Sequence, residues 1–421
     1  MSFNVWKVLK LGDICDISSS KRIYAKEYQS SGIPFYRGKE IIEKFKGNDI
    51  STELFIKEER FNELKYKFGA PAIGDILLSS VGTLGVPYLV QDEKFYFKDG
   101  NLTWFKNFVN SQSEFIFLWL QSQYAKNQIN SRAIGSTQKA LTIDVLKKFD
   151  INLPPIQEQK AIAATLSCLD EKIELNNRIN KALEEMAQAI FKSWFVDFEP
   201  FQDGEFEDSE LGKIPKGWRV VELSSIVSVN KRGFSPKYTK NNEGIPVINQ
   251  RCIRNHTVIE EAVQYHDNSV RTAPKDLFHK PFDILINSMG VGTLGRVAQV
   301  AIVNDIKIVH SCITILRANE KLIFPIILGY FIKNLEDKIE DMGTGTTGQT
   351  SLNNKFLGSL NLALPPLVIQ REVSDILTNL LIYINKNNLE NNHLIQIRDS
   401  LLPKLMSGEI RVPVEEVLAD G

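Results

Sequence analysis

Residues 286–295, "INSMGVGTLG", carry Gly290-x-Gly292-x-x-Gly295, the spacing that lets a backbone approach a pyrophosphate at the start of a helix. A dinucleotide and hydride transfer are therefore the first chemistry to weigh. The next residues, "RVAQVAIV" (296–303), are β-branched and alternating, and they read as a second strand instead of a helix. The glycines then close a hairpin-like turn, and the redox reading loses its support. Cys252, His256 and His266 offer metal-ligand atoms, but their spacing fits no standard zinc pattern. No phosphate loop of the G-x-x-x-x-G-K-[ST] type and no D-P-P-Y-like or N-P-P-Y-like motif of an amino-methyltransferase is present. No acid–base pair or nucleophile constellation repeats. The expected catalytic, cofactor and metal residues of this chain are therefore none.

The remaining chemistry is binding. "SSSKRIYAK" (18–26), "YRGKE" (36–40), "NKRGFSPKYTK" (230–240) and "NQRCIRNH" (249–256) mix Arg and Lys with amides and aromatic rings, the side chains that meet phosphates and base edges. Lys21, Arg22, Lys39, Lys139, Lys231, Arg232 and Lys237 are candidate phosphate contacts. Thr137, Thr346 and Thr347 join them from the hydroxyl-rich loops "IGSTQKA" (134–140) and "GTGTTGQTS" (343–351). Tyr24, Arg37, Tyr238, Gln250, Arg251 and Arg254 are candidate base readers.

These clusters recur because the chain is written twice. "WKVLKLGDI" (6–14) answers "WRVVELSSI" (218–226), 212 residues on, and "LPPIQEQ" (153–159) answers "LPPLVIQ" (364–370), 211 on. "GDILLSSVGTLG" (74–85) answers "FDILINSMGVGTLG" (282–295), with two extra residues in the second copy. A period this long is a duplicated domain, not a solenoid. Each copy reads as a mixed α/β globule. Strands are expected near 33–37, 75–81, 86–91 and 101–106, with a helix near 113–130. The second copy repeats them near 245–249, 283–288, 296–303 and 309–316, with a helix near 322–341.

Between and after the globules, long glycine-free runs carry heptad seams. Steps of four and three pick out Ile162, Leu166, Leu169, Ile173, Asn176, Asn180, Leu183, Ala187, Ile190 and Trp194. In the second run they pick out Val373, Leu377, Leu380, Ile384, Asn387, Asn391, Leu394, Arg398, Leu401 and Leu405. Asn176, Asn180, Asn387 and Asn391 interrupt both seams at matching places. Antiparallel packing would set amide layer against amide layer, and any other register would bury unpaired amides at roughly 1–3 kcal/mol each. A seam of about 33 residues at 1.5 Å rise is on the order of 50 Å long, a fixed spacer between two globules.

The expected fold class is α+β: two mixed α/β domains in a tandem pseudo-twofold repeat, separated by two long antiparallel coiled-coil helices. Its expected boundaries are domain one, 1–156; first long helix, 157–198; acidic linker, 199–212; domain two, 213–367; second long helix, 368–408; tail, 409–421. Net charge over the chain is −1, but segments 1–156 and 213–367 carry +4 and +6, while 157–212 and 368–421 carry −8 and −3. Basic globules on acidic helices are what a polyanion reader needs. The acidic faces, including Glu171, Glu174, Glu184 and Glu185, are candidate docking surfaces for partners. Four scattered cysteines, without a C-x-x-C pair or a signal-peptide core at the start, suggest buried reduced thiols in a cytoplasm.

Residues 153–201, "LPPIQEQKAIAATLSCLDEKIELNNRINKALEEMAQAIFKSWFVDFEPF", followed by "LGKIPKGWRVVELSSI", resemble the central region of specificity subunits of type I restriction-modification enzymes. "RDSLLPKLMSGEIRV" (398–412) looks like the end of that family's distal helix. The likeness spans the chain, with Ser224-Ser225 standing where copy one has Gly12-Asp13. It implies a non-catalytic subunit with two target recognition domains, each reading half of an asymmetric, split double-stranded DNA site. It also implies two docked modification (methyltransferase) subunits and further restriction (translocase and nuclease) subunits. S-adenosylmethionine, ATP and Mg would belong to those partners. An adaptor that bridges proteins without touching DNA is the alternative class.

Overall fold

The computed structural model describes residues 6–413, apart from 48, 49, 51, 53, 136–138, 241, 242, 261, 291 and 344–350. It divides into two compact units, residues 1–174 with 391–421, and residues 175–390. The division falls inside both long helices instead of at their ends, and the cores explain why. Ile162 and Leu166, with Leu405 and Met406 from the far end of the second helix, are buried in the core of unit one. Ala187, Phe191 and Phe195, with Val373, Leu377 and Leu381, are buried in that of unit two. The helix ends are parts of the globules.

The units share one topology. In unit one, a four-stranded antiparallel sheet runs in the order Asp16–Ser18, Leu102–Lys106, Ile76–Ser79, Pro87–Leu89. A three-stranded sheet places Ile33–Tyr36 between antiparallel Phe55–Ile56 and parallel Tyr96–Phe97. Unit two repeats the order with Val227–Arg232, Ile313–Ala318, Ile284–Asn287 and Val297–Gln299, and again with Gln264–His266, Ile245–Ile248 and Ile308–Val309. The inner strands Ile76–Ser79 and Ile284–Asn287 are buried at every residue. That burial is why each opens on three apolar residues in a row before the polar Ser79 or Asn287. Small polar groups inside are paired identically: Ser80 with Thr103 and Ser288 with Thr314, both at 2.6 Å.

Several elements differ from the sequence expectation. The helix near 113–130 is two helices, Ser113–Gln121 and Gln123–Arg132, because Ser122 is extended and its hydroxyl accepts from the Ala125 amide as a new N-cap. The helix near 322–341 breaks at Leu335 into Pro325–Asn334 and Glu336–Asp341. The stretch 199–212 contains a 3₁₀ turn at Glu199–Phe201 and enters a hairpin of Phe206–Ser209 with Gly212–Pro215. Of the thiols, Cys15 and Cys252 are buried but Cys168 is exposed on the first long helix.

The long helices are Ile156–Phe195 and Leu367–Ser407. All residues of both heptad seams are buried or half-buried. Within unit one Arg398 Nη1 donates to Asp170 at 2.8 Å. Within unit two Asn387 Nδ2 donates to Asn180 Oδ1 at 2.8 Å, and Asn180 Nδ2 donates to Asn388 Oδ1 at 2.9 Å. The pairings run antiparallel in each unit, and an asparagine layer does meet an asparagine layer at Asn180. Asn176 instead donates to Glu390 at 2.8 Å, a flanking residue long enough to reach across the seam. Asn391 is buried. Asn180→Leu leaves two amides facing leucine, and we expect about 1–2 kcal/mol lost from unit two in a urea unfolding curve.

The repeated L-P-P segments fix each helix to its domain through one buried glutamine. Gln159 donates to Pro154 O and Asn110 O at 2.8 and 3.2 Å and accepts from the Gln112 amide at 2.9 Å. Gln370 repeats this with Pro365 O, Leu322 O and the Phe324 amide at 3.0, 3.2 and 2.9 Å. Both side chains are fully buried. Gln370→Leu strands three backbone groups, so a loss of about 2 kcal/mol is expected for unit two; Gln159→Leu does the same for unit one.

Candidate nucleic-acid interface

The glycine run that opened the question is a hairpin. Ile284–Asn287 pairs antiparallel with Val297–Gln299, and Gly290, Gly292 and Gly295 all have positive φ. No helix follows, which removes the dinucleotide reading. In unit one Ile76–Ser79 and Pro87–Leu89 close the same way around Gly82 and Gly85. Beside each turn lies the end of a hydroxyl-rich loop: Val81 bridges Ala140, and Met289 bridges Ser351. Lys139 thus sits next to the first glycine turn, its carbonyl accepting from the Gly82 amide at 3.4 Å. Thr137, Thr346 and Thr347 lie outside the described residues.

Unit one brings several of the basic candidates to the rim of its three-stranded sheet. The Lys21 amide donates to Tyr96 Oη at 3.0 Å, and Lys21 Nζ lies 4.6 Å from the Phe68 ring centre. Arg22 is exposed and pairs with Asp99 at 3.0 Å. Tyr24 is exposed, and its amide is capped by Glu27 at 2.9 Å. Lys39 is exposed. Arg37 differs from expectation. Its amide and guanidinium both bind the buried Glu40, with Nη2 at 2.6 Å, so this arginine caps the helix Gly38–Phe45. The Glu40 carboxyl stays below its usual range although burial opposes that, because Arg37 donates to it. Sequence reasoning missed "LKYKF" (64–68), where Tyr66 is 91% exposed at the end of the helix Glu58–Phe68. Aromatic residues alternating with lysines were the available signal.

In unit two Lys231 lies 3.5 Å from Asp276, and Arg232 Nη2 donates to Leu352 O at 2.6 Å, tying the strand to the foot of the neighbouring loop. Tyr238 is exposed and stacks on His310, ring centres 6.3 Å apart. Lys237 is exposed, while its amide donates to His266 Nδ1 at 2.9 Å. Gln250 and Arg251 begin a 3₁₀ turn capped by Asn249; Arg251 is exposed and Gln250 half-buried. Arg254 closes a short strand, Ile253–Arg254, that pairs with Thr257–Val258. Asn255 and His256 between them both have positive φ, the conformation a two-residue hairpin turn of the mirror-image type requires.

The tip of that turn bears on the metal reading. His256 Nδ1 lies 3.2 Å from Glu184 and Nε2 lies 2.9 Å from Glu336. Lys333 Nζ lies 2.9 Å from Glu184, its side chain only 2% exposed. His266 is buried, with Nε2 2.7 Å from Arg271 O. His256 and His266 are therefore held by separate protein partners. Among the described residues no three His, Cys, Asp or Glu side chains gather as a metal site. Burial acts to lower the His256 pKa, but hydrogen bonds to Glu184 and Glu336 outweigh it and raise it to about 9. Burial would raise the Glu184 carboxyl, yet His256 and Lys333 hold it well below the ordinary range. Glu184 is thus an internal anchor between the first long helix and its domain, not an open docking residue.

Two domains of one topology, each carrying exposed basic and aromatic residues and each rooted on a pair of antiparallel helix segments, make a tandem repeat suited to DNA recognition. A family model described as "Type I restriction modification DNA specificity domain" matches residues 4–185 and 215–398, and the chain belongs to that family. It is a specificity subunit, the member that recognises DNA while catalysis belongs to other subunits. It is 28% identical to the type I restriction enzyme MjaIX specificity subunit of Methanocaldococcus jannaschii, over 97% of this chain and 94% of that one. It is 26% identical to the HindI specificity subunit of Haemophilus influenzae, over 70% and 77%. The crystal structure of a type I system S subunit from M. genitalium superposes with a TM-score of 0.60 at 18% identity, over 96% of each chain. Among the described residues no helix is long and apolar enough to cross a membrane.

Proposed function

We propose that each unit reads one half of an asymmetric, bipartite double-stranded DNA site, and that the two long helices set the spacing and dock two modification subunits. The repeated sheet topology with unlike rim residues carries this reading: one scaffold supplies equivalent docking onto DNA, and different side chains supply different half-sites. Helices of 40 and 41 residues without interruption suit a spacer. Restriction subunits complete the assembly, and S-adenosylmethionine, ATP and Mg act in those partners, in the cytoplasm. The candidate phosphate contacts, Lys21, Arg22, Lys39, Lys139, Lys231, Arg232 and Lys237, with Thr137, Thr346 and Thr347, fix register. Tyr24, Tyr238, Gln250 and Arg251 read bases. An electrophoretic shift with the modification subunit present tests this. Binding that prefers one duplex sequence at physiological salt by about a thousandfold over random DNA is expected. Equal affinity for all duplexes, or none, contradicts it and favours a protein-bridging adaptor.

A further inference from the structure

Unit two holds two arginines on adjoining segments with no carboxylate partner among the described residues, and one of them directly follows the glycine run that the function above leaves unused. Arg254 ends the first strand of the hairpin 253–258; Arg296 follows Gly295. The hairpin lies against the strand that Arg296 introduces: the Gln299 amide donates to His256 O at 3.3 Å, and Asn287 Nδ2 donates to Gln250 O at 3.0 Å. Arg254 and Arg296 thus lie on adjoining segments, Arg296 O accepting from the Asn287 amide at 2.9 Å, and burial first and the Arg296 charge second lower the Arg254 pKa. Each guanidinium is steadied by one N–H on a nearby carbonyl, Arg254 Nη1 on Ile253 O at 2.9 Å and Arg296 Nη2 on Gly292 O at 3.0 Å. A guanidinium has five N–H donors, so most remain available. Neither arginine has a carboxylate partner among the described residues, although arginines elsewhere in this chain pair with Asp99, Glu40, Asp283 and Asp170.

The turn is packed closely against the hairpin segment. A Cβ at Gly290 would meet Thr293 Oγ1 at 2.8 Å and Gln250 Oε1 at 3.3 Å, so glycine there lets the turn close onto the segment that leads to Arg254. Two like charges on adjoining segments, each braced by its own backbone, are poorly placed in isolation and well placed around an anion with several oxygens.

We propose that Arg254 and Arg296 form a phosphate-group site in the second recognition domain, filled by a backbone phosphodiester of bound DNA. Arg254 is then a positioning contact and not a base reader. This rests on the reading that the domain binds DNA.

The test uses the complex with modification subunits, comparing wild type with Arg254→Gln, Arg296→Gln and the two Lys variants, each checked by its melting curve. For the Gln variants we expect affinity about tenfold weaker at low salt, equally for cognate and random duplexes. The slope of log K against log salt becomes shallower by about 0.9 for each phosphate no longer neutralised. The Lys variants keep the slope. Unchanged affinity and slope in the Gln variants overturns the site, as does a loss confined to one base pair of one half-site, which means base readout. Stabilisation by inorganic phosphate at constant ionic strength, abolished in the Gln variants while DNA binding is untouched, assigns the site to free phosphate and overturns the DNA assignment. Failure of the wild-type complex to select any sequence instead overturns the underlying reading of the domain.

Discussion

Glu184→Ala is expected to destabilise unit two by about 3–5 kcal/mol, the cost of leaving a buried cation without its partner. Lys333 sits in a helix, Pro325–Asn334, that is otherwise almost wholly apolar and buried. Its ammonium is 2.9 Å from Glu184, and Tyr330 Oη donates to the same carboxylate at 3.2 Å. Removing the carboxylate takes from Lys333 its hydrogen-bonded partner, leaving the Glu336 charge acting on it, and takes one of two counter-charges from His256. Lys333→Met in the same chain should restore much of the loss, because it removes the charge that the first substitution strands. Hydrogen exchange of the 326–334 amides reads this directly: faster exchange in the single variant, near wild-type protection in the double. Undiminished protection in Glu184→Ala would show that the pairing does no anchoring.

The same cluster makes stability depend on pH, in a direction fixed by His256. Its folded pKa, about 9, lies above the ordinary value of 6.5, so the folded state holds the proton more tightly than the unfolded chain. The stabilisation is complete below pH 6.5 and is lost as pH rises through about 9, up to roughly 3 kcal/mol in total. Glu184 works from the other side. Its carboxyl is depressed, so its contribution is present above about pH 4.5 and fades as pH falls. Burial pushes His279 down to about 4, so its contribution is lost as pH falls below 6.5, and unit two is expected to be most stable near pH 6.5. In His256→Gln the alkaline decline should vanish while the acid limb persists. A decline of equal size in that variant would place the titrating group elsewhere.

The periods of the chain were its most readable part. The tandem repeat at 211–212 residues, the heptad seams and the β-branched run after Gly295 each follow from side-chain spacing, and the structure carries them as two equal topologies, antiparallel helix segments and a hairpin. Helix breaks at Ser122 and Leu335 were hidden because each is a single non-helical residue between helix-forming runs, with no glycine or proline to mark it. The charged residues were harder. Arg37 looks like any exposed arginine in "YRGKE", yet Glu40 three residues on claims it as a cap. Glu184 resembles the solvated acids around it, and only the lone Lys333 in "PIILGYFIKN" signals that something must answer it. Arg296 directly follows a glycine motif whose spacing points to a turn and says nothing of the charge beside it. Which cations face a ligand depends on which carboxylates tertiary packing delivers, and spacing along the chain does not contain that.

The most direct measurement maps methylated adenines in a host genome that carries this chain with its modification subunit, then repeats the mapping with residues 213–367 replaced by the corresponding domain of a relative. A split motif in which only one half changes, with the other half and the gap retained, is the expected result. A single contiguous motif, or an exchange that alters both halves together, would contradict the assignment of one half-site to each domain.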